Sequence, residues 1–127
     1  MRMHLRMKRE QMNSDPVLSF IGLAKKAGKV KSGEFSVEKA VKDGSAKLVI
    51  IAGDASDNTK KHFKDMTSFR NIPYREYSDS DQLGKCIGCN FRVSAAICDE
   101  GFAGSLIRKI DESAGAWRNQ NGKNKNL

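Results

Sequence analysis

The chain has 127 residues, 39% of them apolar, which is enough for one domain with one hydrophobic core. Its formal charge of +8 and pI near 9.6 point to an anionic partner, because clustered lysine and arginine release counterions from phosphate-rich chains. No apolar run approaches the ~20 residues of a membrane span, and no apolar stretch follows the basic first residues as in a secretory signal, so a cytoplasmic protein with no membrane partner is expected.

Residues 1–14 read as a flexible basic leader with methionines scattered through it. Ser14, Asp15 and Pro16 form a helix start: an oxygen-bearing cap, then a proline whose missing N–H costs nothing at the first helical position. Val17, Phe20, Ile21 and Ala24 follow at helical spacing, and Gly28 can end the helix in a left-handed conformation. A short extended segment over 29–31 leads to Ser32, Gly33 and Glu34, which open a second helix with Val37, Ala40 and Val41 facing inward and Gly44 at its end.

Residues 47–52 read as a strand buried on both faces, because their apolar side chains run on without alternating. A turn at Gly53 and Asp54 precedes a third helix over 56–69, with Phe63 and Met66 inward; Pro73 then breaks the chain before a short strand at 74–76. Ser80 is expected to cap a fourth helix over 81–87, followed by a strand over 92–98 and a last helix over 102–110. The polar residues 111–127 read as a frayed tail with Trp117 as its anchor, leaving 15–110 as the domain. Strands alternating with helices favour an α/β fold, a three-layer α/β/α sandwich with a mixed sheet of about four strands.

Marks of catalysis are sparse. His62 sits among Lys60, Lys61 and Lys64 and reads as an ordinary exposed histidine, and no glycine-rich loop has the trailing Lys-Ser or Lys-Thr of a phosphate cradle. Cys86 and Cys89 have metal or redox spacing, but Cys98 is the only further cysteine, so packing is the favoured reading and thiol chemistry a remote third. Asp79 and Asp81 suit a helix start, and Asp54 reads as a turn residue. The charge is more telling. Lys and Arg outnumber Asp and Glu by 16 to 11 within residues 16–110, and Lys25, Lys26, Lys29, Lys31, Lys39, Lys42 and Lys47 crowd one segment. There Gly33 permits close approach of another backbone, and the free N–H groups of a helix start can hold phosphate or base-edge acceptors.

That segment, Leu23-Ala24-Lys25-Lys26-Ala27-Gly28-Lys29-Val30-Lys31-Ser32-Gly33, together with Lys39-Ala40-Val41-Lys42-Asp43-Gly44, the run from Ala46 through Ser56, Asn71-Ile72-Pro73 and Leu83-Gly84-Lys85, resembles the kink-turn RNA-binding ribosomal proteins of the L7Ae/L30e type, especially their small bacterial YlxQ-like members. The resemblance covers about residues 16–110. It implies a non-catalytic protein that recognises a kinked RNA stem, in which sheared guanine–adenine pairs follow a three-nucleotide bulge. It also implies RNA contacts at the start of the second helix and in the loop before the last strand. The candidate residues are Lys31, Ser32, Gly33, Glu34, Phe35, Ser36, Lys39 and Lys42 at the helix, and Asn90, Phe91 and Arg92 in the loop.

Typical archaeal members have Asn and Glu where this chain has Phe35 and Ser36. Either Phe35 stacks on a base while Ser36 keeps one hydrogen bond, or the chain prefers another RNA motif. Phe91 and Arg92 are open in the same way, between RNA contacts and a core residue beside a solvated strand edge. Gly33→Glu is expected to block RNA while leaving stability nearly unchanged. No metal or cofactor is expected. The expected partner is structured RNA, kink-turn or ribosomal, with ribosomal or transcription-complex proteins as further candidates. The alternative is a protein-interaction module of such complexes that binds RNA weakly and without selectivity.

Overall fold

The computed structural model describes residues 15–126, with side chains described through residue 114; the leader 1–14 and the side chain of Trp117 lie outside the described residues. In chain order the elements are α1 (Pro16–Lys26), β1 (Val30–Ser32), α2 (Glu34–Lys42), β2 (Leu48–Ile51), α3 (Asp57–Phe69), β3 (Tyr74–Glu76), α4 (Ser80–Cys86), β4 (Ser94–Ile97) and α5 (Glu100–Asn126). The sheet order is β1-β4-β2-β3, with β4 antiparallel to both β1 and β2 and β2 parallel to β3. The one parallel pair is the one joined by a helical crossover, α3.

Central strand β2 explains the three layers. All four of its residues are fully buried, and alternation sends Leu48 and Ile50 into one core and Val49 and Ile51 into the other. Helices α1, α4 and α5 cover the first core with Ile21, Leu83 and Leu106; α2 and α3 cover the second with Val37, Val41 and Phe63. Register pairs Val49 with Ala96 and Ile50 with Ala95, so small residues on β4 stand beside large ones on β2.

Local chemistry sets the element ends. Asp15 caps α1, accepting from the amides of Val17 and Leu18 at 2.8 and 3.1 Å, and its carboxylate also accepts from the Tyr77 hydroxyl. Gly28 takes φ 76° just past that helix. Two expectations need correction. Asp79, not Ser80, caps α4; Ser80 lies inside the helix, buried, because the Asp54 carboxylate accepts from both its amide and its hydroxyl at 2.9 Å. In α3, Phe63 and the partly exposed Met66 both face the second core as expected, and Thr67 is buried beside Phe63 as well, its hydroxyl donating to the Phe63 carbonyl at 2.7 Å and hiding its polarity. The last helix continues to Asn126 rather than ending at Ile110, and Arg75 of β3 grips Asp111 with two bonds of 2.8 and 3.0 Å just where the polar residues begin.

Candidate functional site

Among the described residues no side chain caps the start of α2. Its first amides therefore have no acceptor from a side chain and, by helix geometry, none within the helix. Gly33 holds the N-cap position at φ 92° and ψ 150°, a region open essentially to glycine alone, and its amide donates to the Ser94 carbonyl at 3.2 Å, fixing the helix start against β4. A Cβ at Gly33 would meet nothing within 4 Å among the described residues, so the requirement is conformational rather than spatial. Gly33→Glu must then strain the backbone by ~1–3 kcal/mol, which corrects the expectation of unchanged stability.

Phe35, one turn before Lys39, is 80% exposed. An aromatic ring of that size is normally half hidden; here it stands as a ridge with Lys39 between two hollows. One, of ≈ 340 Å³, is also lined by Glu38, Lys42 and Asp43; the other, of ≈ 270 Å³, by Lys31, Ser36 and Ser45 among others. Asp43 is held ionised below the usual carboxylate range, chiefly by hydrogen bonds from Ser45 and then by the charges of Lys39 and Lys31. Lys42 lies in the last turn of α2, about 14 Å along the axis from Gly33 at 1.5 Å per residue.

The second segment, residues 88–92, is held against the first. Gly88 turns the chain at φ 78°, and Gly84 lets the loop lie directly on α4: a Cβ there would stand 2.6 Å from the Phe91 nitrogen and 2.8 Å from its Cα. The Arg92 amide donates to the Ser80 carbonyl at 3.1 Å, and its Nε donates to the Ser32 hydroxyl at 3.1 Å. A chain of contacts thus runs from Asp54 through Ser80 and Arg92 to Ser32, joining the end of β2 to the start of α2. Phe91 is 57% exposed and is not a core residue, Asn90 is exposed, and Arg92 is half-buried in the loop ahead of β4 rather than on a strand edge.

The structure accordingly brings Ser32, Gly33 and Arg92 together, with Phe35, Ser36, Lys31 and Lys39 around the adjacent hollow. Lys42 is the outlying member. Glu34 is turned to another cluster, with Glu38 and with His62, whose Nε2 lies 2.8 Å from the Glu38 carboxylate. That pairing, 24 residues apart in sequence, had no sequence signal beyond the four-residue spacing of the two glutamates. The cysteines serve as packing. Cys86 and Cys89 lie against the core under α1, and Cys98 against the opposite core. Burial, helped by the nearby charge of Asp15, pushes the Cys86 thiol up to about 11. Among the described residues no helix is long and apolar enough to cross a membrane.

The profile of the ribosomal protein L7Ae/L30e/S12e/Gadd45 family matches residues 15–107. The chain is 42% identical over 91 residues to the RNA-binding protein YlxQ of Bacillus subtilis, covering 72% of this chain and 91% of that one. It is 29% identical over 110 residues to the large ribosomal subunit protein eL8 of Cenarchaeum symbiosum, covering 86% and 87% respectively. Among solved structures, a Bacillus halodurans C protein of unknown function superposes with a TM-score of 0.74 at 37% identity, over 76% of this chain and 98% of that one. The Giardia lamblia 15.5kD RNA binding protein shares the fold, with a TM-score of 0.66 at 23% identity over 81% and 90% of the two chains.

Proposed function

Because the chain belongs to the ribosomal protein L7Ae/L30e/S12e/Gadd45 family, we propose that it is a cytoplasmic RNA-binding protein that grips a kinked stem between the start of α2 and the loop ahead of β4, by binding alone and without a cofactor. The observation that carries this is the Arg92–Ser32 hydrogen bond, which fixes two segments 60 residues apart into one surface. On that surface the uncapped amides of α2 meet phosphate or base-edge oxygens, aided by the positive end of the helix dipole. Phe35 offers its face to an unstacked base, Ser36 one hydrogen bond, and Lys31 and Lys39 charge to the flanking phosphates. Phe91 supplies an apolar contact from the other side. An aromatic in place of a polar base reader trades hydrogen-bond discrimination for stacking, so shape rather than base identity dominates selectivity.

The test is an RNA titration at near-physiological salt. It compares a kink-turn stem with the same stem lacking its bulge and guanine–adenine pairs. Tighter binding to the kinked stem is expected, and equal binding to both, falling steeply with salt, would leave only unspecific phosphate attraction and favour a protein partner instead.

A further inference from the structure

Glu34 and Glu38 stand one turn apart on α2, and His62 of α3 reaches across to them. One ligand atom from each lies within 4.8 Å of the others, and His62 Nε2 is 2.8 Å from Glu38 Oε2. Like charges at this helical spacing repel. The chain carries a formal excess of eight positive charges, yet among the described residues no lysine or arginine lies within ion-pair distance of Glu34 or Glu38. Among the described residues, the one nitrogen ligand offered to the two carboxylates is the His62 imidazole, which is also a metal ligand.

We propose that Glu34, Glu38 and His62 bind a single divalent transition-metal ion of the zinc type. The donor set selects the class: magnesium and calcium take oxygen ligands, whereas an imidazole nitrogen beside carboxylates suits zinc, cobalt or nickel. The geometry is close. A tetrahedral ion with bonds of ~2.0–2.2 Å holds its ligand atoms roughly 3.4 Å apart, so the 2.8 Å Glu38–His62 pair would open by about 0.6 Å and the wider separations, at most 4.8 Å, would close by up to about 1.4 Å, within the reach of glutamate rotamers. Binding would replace the Glu38–His62 hydrogen bond with two bonds to the ion and leave a fourth position to water. Both ligand helices cover the same core, so the ion would tie α3 to the first half of α2. The inference does not depend on what the neighbouring surface binds.

The test is a calorimetric zinc titration of the full chain after chelator treatment, with thermal unfolding in parallel and cobalt absorption as a probe of ligand type. One zinc per chain is expected, together with a higher melting temperature and a cobalt spectrum without a thiolate charge-transfer band. Glu34→Gln, at an exposed side chain, and His62→Ala should each weaken zinc at least about tenfold, while His4→Ala and added magnesium change nothing. Zinc affinity unchanged in both ligand variants, a thiolate band with cobalt, or no binding up to about 0.1 mM would overturn the proposal.

Discussion

Replacing Gly84 by alanine should dislodge the loop that carries Phe91 and Arg92 without touching α2. The added Cβ would stand 2.6, 2.8 and 2.9 Å from three backbone atoms of Phe91 and Asn90, where ordinary contact begins at 3.4 Å. Relief requires the loop to withdraw by roughly 0.8 Å, since backbone cannot rotate aside as a side chain can. The Arg92–Ser32 bond, at 3.1 Å, would then stretch past hydrogen-bonding distance. Overpacking of this severity costs ~3 kcal/mol, offset by ~1 kcal/mol from the better helix propensity of alanine. The net loss of about 2 kcal/mol lowers the melting temperature by roughly 8 °C. Loss of the bridge should add a further fall in affinity for the kinked stem of about tenfold, the low end expected for one hydrogen bond to a charged group at ~1.5 kcal/mol. Thermal unfolding and RNA titration read the two effects separately. A Gly84→Ala chain as stable as the parent, with undiminished RNA affinity, would refute the argument that this glycine seats the loop.

Phe35→Ala should weaken binding to the kinked stem by ~1–3 kcal/mol with little change in stability, since the ring is exposed and makes few contacts to lose; a titration of the two stems checks this. Lys39→Ala should lower the salt dependence of RNA binding by about one phosphate, and Lys42→Ala, far along the helix, by less. Phe63→Ala, in the core under α2 and α3, should cost ~3–5 kcal/mol in urea unfolding. Burial, then the hydrogen bond to Asp15, raises the Tyr77 hydroxyl to about 12, and Tyr74 is raised too by burial and Glu76. A phenol whose folded pKa exceeds its unfolded one, near ~10, stabilises fully below that pH and loses the contribution as pH climbs toward 12. Tyrosinate absorbance should therefore stay low at pH 10.5, and half-ionisation near 10 would contradict the assignment. Cys86, with its raised thiol, should be alkylated slowly at pH 8 compared with a free cysteine.

The order of elements was legible because punctuation in the sequence is strong: Pro16, Gly28, Gly44 and Pro73 mark ends, and the unbroken apolar run at 47–52 announces a central strand. The misreadings of the last helix and of the α4 cap share a cause, which is contact between distant residues. Nothing near Ile110 reveals that Arg75 holds Asp111, and Ser80 looks like a cap until Asp54 claims it. The start of α2 was readable as a candidate site from Gly33 and the lysines around it. The Arg92–Ser32 and His62–Glu38 contacts were not, because hydrogen bonds spanning 60 and 24 residues leave no periodic trace.

Both outer strands of the sheet, β1 and β3, are three residues long, and each has a cation at its centre, Lys31 and Arg75. An exposed strand edge is a template on which a second chain could pair. Edges this short, with a charge in the middle, give an approaching strand too few backbone groups to register against. The two edges therefore disfavour lengthening of the sheet by a second strand, from another copy or from a partner.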